Sequence, residues 1–172
     1  PIREAVLDSS TAAYRKTIQR QLMGVRHDRK GKESCTLYSG GCARKSRYTF
    51  DGAQGEPLSA RTILKFVLGD VVELTVLALA ECASCPITHN NYRLTITARD
   101  GTLVAVHPDG LYTAPDGTAY NVEIKSCDSR TFDKWMEQGG PDDMWGYLTQ
   151  ASVECRAWIE AGVSVAATNF IA

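Results

Sequence analysis

Asp109, Glu123 and Lys125 are the side chains whose types and spacing make a reaction centre. The two acids lie seven residues to either side of Asp116. Pro115-Asp116-Gly117 is a turn sequence, so a hairpin bent there brings the acids together. Strand periodicity turns Glu123 and Lys125 to one face, and Val122 and Ile124 to the other, where an apolar core receives them. Two carboxylates a few ångströms apart repel unless a cation neutralises them, and hard oxygen ligands suit Mg2+ or Mn2+. A metal held in this way polarises a phosphoryl oxygen and lowers the pKa of water. Lys125 then orients or activates that water and stabilises the extra negative charge of a pentavalent transition state. The same residues also allow a simpler reading, in which Glu123 and Lys125 form an exposed cross-strand pair and Asp109 opens a turn after Pro108.

The elements that must position these residues are legible in part. Residues 92–98 alternate in strand fashion, residues 102–106 are β-rich, and residues 120–125 form a strand after the turn; together they are expected to make an antiparallel meander. Ser59 caps a predicted helix through Ile63, Phe66, Val67, Val71, Leu74 and Leu77 to about Ala80, with Glu73 inside it. A last long helix is expected after Pro141-Asp142-Asp143, ending at Gly162 and followed by a strand through Val163, Val165 and Ala167. Near the start, Ile2, Val6, Leu7, Ala13, Tyr14, Ile18 and Leu22 recur at near-helical spacing, which predicts an amphipathic helix ended by Gly24. Residues 25–58 are rich in Gly, Lys, Arg and Ser, and read as irregular structure around a short helix or turn near residues 42–48. The expectation is a mixed α/β fold, a central mixed sheet of about four or five strands flanked by helices, with the acidic site at its exposed edge.

A chain of 172 residues with 44% hydrophobic content is sized for one compact domain. We read residues 1–172 as a single domain, with 1–58 a basic N-terminal part and 59–172 the core that carries the site. The most apolar run, residues 71–80, contains Glu73, so no membrane-spanning segment is expected. Residues 1–7 carry Arg3 and Glu4 and lack an apolar signal core, which predicts a reducing cytoplasmic setting. Net charge is −1, but up to Arg61 there are twelve Lys and Arg against six Asp and Glu, and from Thr62 onward seven against fourteen. A basic segment attracts phosphates and an acidic one collects divalent metal, although ordinary surface charge gives the same counts.

The segment His107-Pro108-Asp109-Gly110, returning as Asn121-Val122-Glu123-Ile124-Lys125-Ser126, resembles the core of RecB-type nucleases of the PD-(D/E)xK superfamily. That superfamily includes lambda-type exonucleases and the CRISPR-associated nucleases that trim spacers. Upstream, Cys42-Ala43-Arg44-Lys45-Ser46-Arg47-Tyr48 is similar to the family's early Cys-Pro-Arg segment, with Ala43 in place of proline. Gly69-Asp70-Val71-Val72-Glu73 is similar to its first acidic helix motif. Downstream, Tyr147-Leu148-Thr149-Gln150 resembles the glutamine-bearing helix beside the site, and Glu154 stands where many relatives have tyrosine. The matches follow the family's order over roughly residues 42–162.

The resemblance implies a restriction-endonuclease-like core and metal-dependent hydrolysis of DNA, with exonucleolytic cleavage favoured and without sequence specificity. It leaves open a structure-specific or nicking endonuclease, and a non-catalytic DNA-binding protein on the same fold. By the same resemblance, Asp109 and Glu123 would hold Mg2+ or Mn2+ with the Ile124 backbone carbonyl, and Glu73 would reach it directly or through water. Lys125 would position the nucleophile, and Gln150 would support phosphate or lysine placement. A histidine contributes to the metal site in some relatives, but His107 reads equally as a packed or solvent-facing ring. The implied partners are DNA, a second copy of the chain or a recombination protein, and a phage or mobile element is the natural setting by analogy.

Six cysteines stand at positions 35, 42, 82, 85, 127 and 155. The spacing of Cys82 and Cys85 suits tetrahedral thiolate ligation, and Cys35 with Cys42 would complete a set for Zn2+ or a 4Fe-4S cluster. Several RecB-type relatives hold such a cluster with one cysteine equivalent to Cys42 and three near the C-terminus. This chain lacks that trio, so a cluster would need another arrangement, and free thiols acting as small apolar residues are the competing reading. Cys127 and Cys155 read as core or surface thiols. Arg44, Lys45 and Arg47, with Arg20, Arg26, Arg29, Lys30 and Lys32, are expected to line a groove that contacts phosphates without reading bases. Tyr38, Tyr48 and Trp145 either stack on an unpaired base or belong to the core.

Overall fold

The computed structural model describes residues 34–35, 42–90, 92–141 and 146–172. The helix expected near the start, together with Arg20, Arg26, Arg29, Lys30, Lys32, Tyr38 and Trp145, lies outside the described residues. Helix α1 (Ala43–Phe50) is the short helix expected around residues 42–48. Helix α2 (Ala60–Cys82) starts where the Ser59 hydroxyl accepts the Thr62 N–H at 3.2 Å, satisfying one of the amides that the first helical turn leaves unpaired. Strands β1 (Ile87–Thr88), β2 (Leu94–Thr97), β3 (Leu103–Val106), β4 (Gly110–Thr113) and β5 (Ala119–Ile124) follow. Helices α3 (Ser129–Gln138) and α4 (Tyr147–Glu160) then lead to strand β6 (Val165–Ile171).

Helix α3 has no counterpart in the periodicity reading, although its ends carry recognisable signals. Asp128 caps it by accepting the Thr131 N–H at 2.8 Å, and Gly139 ends it in the left-handed conformation. Helix α2 is apolar along most of its length, yet none of its residues is buried, and Leu64, Phe66, Leu68, Val71 and Leu79 are exposed. No helix among the described residues is long and apolar enough to cross a membrane.

The strands form a mixed four-stranded sheet in the order β1-β4-β5-β6 and a separate two-stranded hairpin, β2-β3. β4 pairs antiparallel with β1 and β5, whereas β6 runs parallel to β5. The fold is therefore mixed α/β, as expected, but the expected meander through β2, β3 and β5 is not what forms. β3 pairs with β2 alone among the named strands, and the fully buried Pro108 separates it from β4. A proline lacks the N–H with which a ladder would continue.

The main core lies between the β2-β3 hairpin and α4. Leu94 and Ile96 face it from β2, alternating with exposed Thr95 and Thr97, and Val104 and Val106 face it from β3. Ala157 and Trp158 of α4, Leu111 of β4 and Cys35 complete the cluster. Each large side chain buried in this way contributes about 1.5–3 kcal/mol relative to exposure. Arg156 donates to the Thr97 carbonyl at 3.0 Å, and Glu160 accepts the Thr97 N–H at 3.3 Å, so α4 is also tied to the end of β2. The helix is thus held on one side by the hairpin while it presents its other polar residues to the sheet.

Candidate functional site

The β4-β5 turn sets the register of the site. Asp116 Oδ1 accepts the Thr118 N–H at 2.9 Å, Gly117 adopts φ +87°, and Ala114 and Thr118 close the loop through a 2.8 Å backbone bond. Pairing then runs from Thr113↔Ala119 to Gly110↔Val122. Extended by one residue, this register sets Asp109 opposite Glu123, as the symmetric spacing about Asp116 predicts. Asp109 Oδ2 accepts the Ile124 N–H at 2.7 Å, fixing its carboxylate at the end of the hairpin. On the far side, a Cβ at Gly110 would collide with the Ile87 side chain, so glycine is what lets β1 close against β4.

Asn121 and Glu123 on β5 and Lys125 just beyond its end share one face by strand alternation, and α4 covers it. Trp158 Nε1 donates to Asn121 Oδ1 at 3.0 Å. Asn121 Nδ2 donates to Glu154 Oε2 at 2.9 Å and to Thr168 Oγ1 at 3.2 Å. Gln150 Nε2 donates to Glu154 Oε1 at 2.8 Å and to Glu123 Oε1 at 2.9 Å. Lys125 Nζ forms an ion pair with the same Glu123 oxygen and sits 5.4 Å over the Tyr147 ring. Glu123 and Asn121 are 0% exposed and Glu154 is 1% exposed.

The structure overturns the expectation of a site at the exposed sheet edge. β5 lies inside the sheet because β6 pairs along its second side, and Glu123 is sealed beneath α4. A carboxylate so placed is expensive to ionise. Burial, reinforced by the neighbouring Glu154 charge, raises the Glu123 pKa against the opposing pull of Lys125. Burial likewise raises that of Glu154. Asp109 is pushed up to about 6, first by burial and then by the Glu123 charge, with Lys125 and the Ile124 N–H opposing. For Lys125, burial alone would depress the ammonium, but Glu123 and Asp109 outweigh it and raise its pKa. Lys125 is therefore a cation at neutral pH.

Among the described residues, Glu123 Oε2 is buried without a hydrogen-bond partner. A buried carboxylate oxygen in that setting calls for a proton on the carboxyl or a cation. Asp109 and Glu123 supply hard oxygen donors of the kind that suits Mg2+ or Mn2+. Among the described residues, however, no three His, Cys, Asp or Glu side chains come together as a group able to hold a metal ion. Glu73 is half-buried on α2 and is not joined with Asp109 and Glu123 in such a group. It lies one turn beyond Gly69, where a Cβ would stand 3.6 Å from Ser126 Oγ, so α2 passes the end of β5. Nor are Cys35, Cys42, Cys82 and Cys85 assembled as a thiolate set: Cys35 is buried in the core, and the other three are exposed.

Arg44, Lys45 and Arg47 are exposed on α1, with Arg47 paired to Asp51 at 2.7 Å. His107 is held below its usual pKa by partial burial and by the Arg93 charge. Two residues of the network, Asn121 and Glu154, escape the sequence reading as contributors. Each carries a positional signal all the same: Asn121 precedes Glu123 by two in a strand, and Glu154 follows Gln150 by four in a helix, so each shares a face with a candidate residue. Comparison with protein-family models, with curated proteins and with solved structures finds no match to this chain.

Proposed function

We propose that the protein is a metal-dependent nuclease of the PD-(D/E)xK type that hydrolyses phosphodiester bonds in DNA, with exonucleolytic cleavage as the favoured mode. The observation that carries this reading is the meeting of Asp109, Glu123 and a protonated Lys125 at the end of one hairpin, with a buried Glu123 oxygen that no donor among the described residues reaches. The sheet β1-β4-β5-β6 with α4 across it is read as a restriction-endonuclease-like core. Asp109 and Glu123 would hold the divalent ion with the Ile124 carbonyl, and Glu73 would act through water. When bound, Mg2+ or Mn2+ supplies Lewis acidity at the phosphate and lowers the pKa of water.

The chain's own residues do the rest. Lys125 presents a fixed positive charge to the extra negative charge of the transition state, the differential stabilisation that catalysis needs. Gln150 holds Glu123 Oε1 in place, and Tyr147 packs its ring against the Lys125 ammonium, limiting the positions that the amine can take. Arg44, Lys45 and Arg47 would meet backbone phosphates from α1.

One observation favours a second reading, a non-catalytic DNA-binding protein: Glu123 has no solvent exposure, and its Oε1 is already engaged by Gln150 and Lys125. Labelled linear DNA incubated with Mn2+ separates the two. The nuclease releases nucleotides, and Asp109→Ala or Lys125→Ala lowers the rate by about 100-fold or more. Shifted but intact DNA, or full activity in either variant, refutes the assignment. Circular substrates left uncut mark an enzyme that needs an end, whereas cut circles mark an endonuclease.

A further inference from the structure

We propose that Glu154 is a positioning residue of this site: its carboxylate fixes the Gln150 amide so that the remaining Nε2 hydrogen points at Glu123 Oε1. A side-chain amide has two N–H hydrogens, and both are used here, one on Glu154 Oε1 at 2.8 Å and one on Glu123 Oε1 at 2.9 Å. Neither carboxylate can be served if the amide flips, because the carbonyl oxygen would then face an acceptor. Glu154 is oriented in turn by its other oxygen, which accepts from Asn121 Nδ2 at 2.9 Å. Asn121 is pinned at its own carbonyl by Trp158 Nε1 and at its second amide hydrogen by Thr168 Oγ1. The chain of bonds thus runs from the packed indole to the Glu123 oxygen that also meets Lys125.

The residue type fits this role. Two amides converge on position 154, one on each oxygen, and a carboxylate is the side chain that accepts from both. A glutamine there would set one of its own N–H groups against an amide donor, and a tyrosine has a single oxygen. Satisfying Asn121 alone would need only a neutral acceptor, whereas a buried acid beside a second buried acid is costly. The arrangement is explained when Glu154, which also shares a direct hydrogen bond with Glu123, holds the Gln150 amide on that same carboxylate.

The catalytic consequence rests on the nuclease reading; the positioning itself does not, and two readouts keep them apart. In the full chain, hydrogen exchange of the Gln150 side-chain amide is followed by NMR in wild type and Glu154→Gln. Single-turnover cleavage with Mn2+ is measured for wild type, Glu154→Gln, Gln150→Ala and the double variant. Glu154→Gln is expected to speed exchange about ten-fold and to lower kcat by about 10-fold to 100-fold with KM for DNA little changed. The double variant is expected to be no slower than Gln150→Ala, because the two residues act in series. Unchanged exchange, or rate losses that multiply, overturns the proposal. If the wild-type chain cuts no DNA, the nuclease reading fails and the exchange result alone decides the role of Glu154. Should Glu154→Gln not fold, Glu154→Asp withdraws the carboxylate by one methylene while keeping its charge, and carries the same expectations.

Discussion

Lys125 and the acids around it show how burial sets the character of individual groups. The ammonium is raised because Glu123 and Asp109 outweigh its desolvation, while each acid is raised because desolvation and a like charge outweigh the lysine. Asp109, pushed up to about 6 from the ordinary carboxylate range, takes up a proton on folding at pH values between the two. Its contribution to stability is therefore full below its unfolded value and is lost as pH rises through the folded one. Metal-free protein should accordingly resist urea better at about pH 5 than at about pH 8, and the part due to Asp109 over that interval, about 1–2 kcal/mol, should vanish in Asp109→Asn. Urea unfolding in the presence of a chelator measures this, and stability that climbs across that interval would contradict it. Asp109, Glu123 and Lys125 were readable because the acids are spaced symmetrically about the Asp116 turn and strand alternation puts Glu123 and Lys125 on one face. Glu154 was not, because its meaning lies in an amide four residues away and a strand residue thirty-three positions distant.

Strand β5 and helix α4 do the positioning, and they differ in how far the chain announces them. The turn at Asp116 fixed the β4-β5 register, because Pro-Asp-Gly chemistry is local and the count on either side of it is symmetric. The partner of β6 was invisible for the opposite reason. A parallel neighbour is reached only through a crossover, here one containing α3 and α4, and nothing near Val165 names the strand it will join. That single pairing moved the site from an edge to the interior. Helix α3 was missed although Asp128 and Gly139 bracket it, since its apolar face is a single short cluster, Phe132, Trp135 and Met136, in an otherwise polar segment. The approach of β1 to β4 offers a direct test of the sheet. Gly110→Ala forces a methyl into Ile87 and to 3.2 Å from the Thr88 carbonyl. It should cost about 1–3 kcal/mol in chemical denaturation, and Ile87→Ala in the same chain should recover part of the loss. A neutral Gly110→Ala would show that β1 does not pack there.

Across the molecule, acids and bases are segregated along the chain, with excess Lys and Arg before Thr62 and excess Asp and Glu after it. In the described residues this leaves an exposed basic helix α1 and an acidic network sealed between β5 and α4. Residue periodicity foretold the mixed α/β character and the alternating pattern of the hairpin, but not which layers face each other, because those depend on contacts between distant segments. A nuclease site of this kind requires that Asp109 and Glu123 jointly take a divalent cation. Calorimetric titration of Mn2+ into the full chain at about pH 8, where the raised Asp109 is ionised, tests this without DNA. The wild type is expected to bind with a Kd of about 10–1000 μM, and Asp109→Asn to weaken that affinity at least about ten-fold. Equal affinity in the two proteins, or no binding by the wild type, would contradict it.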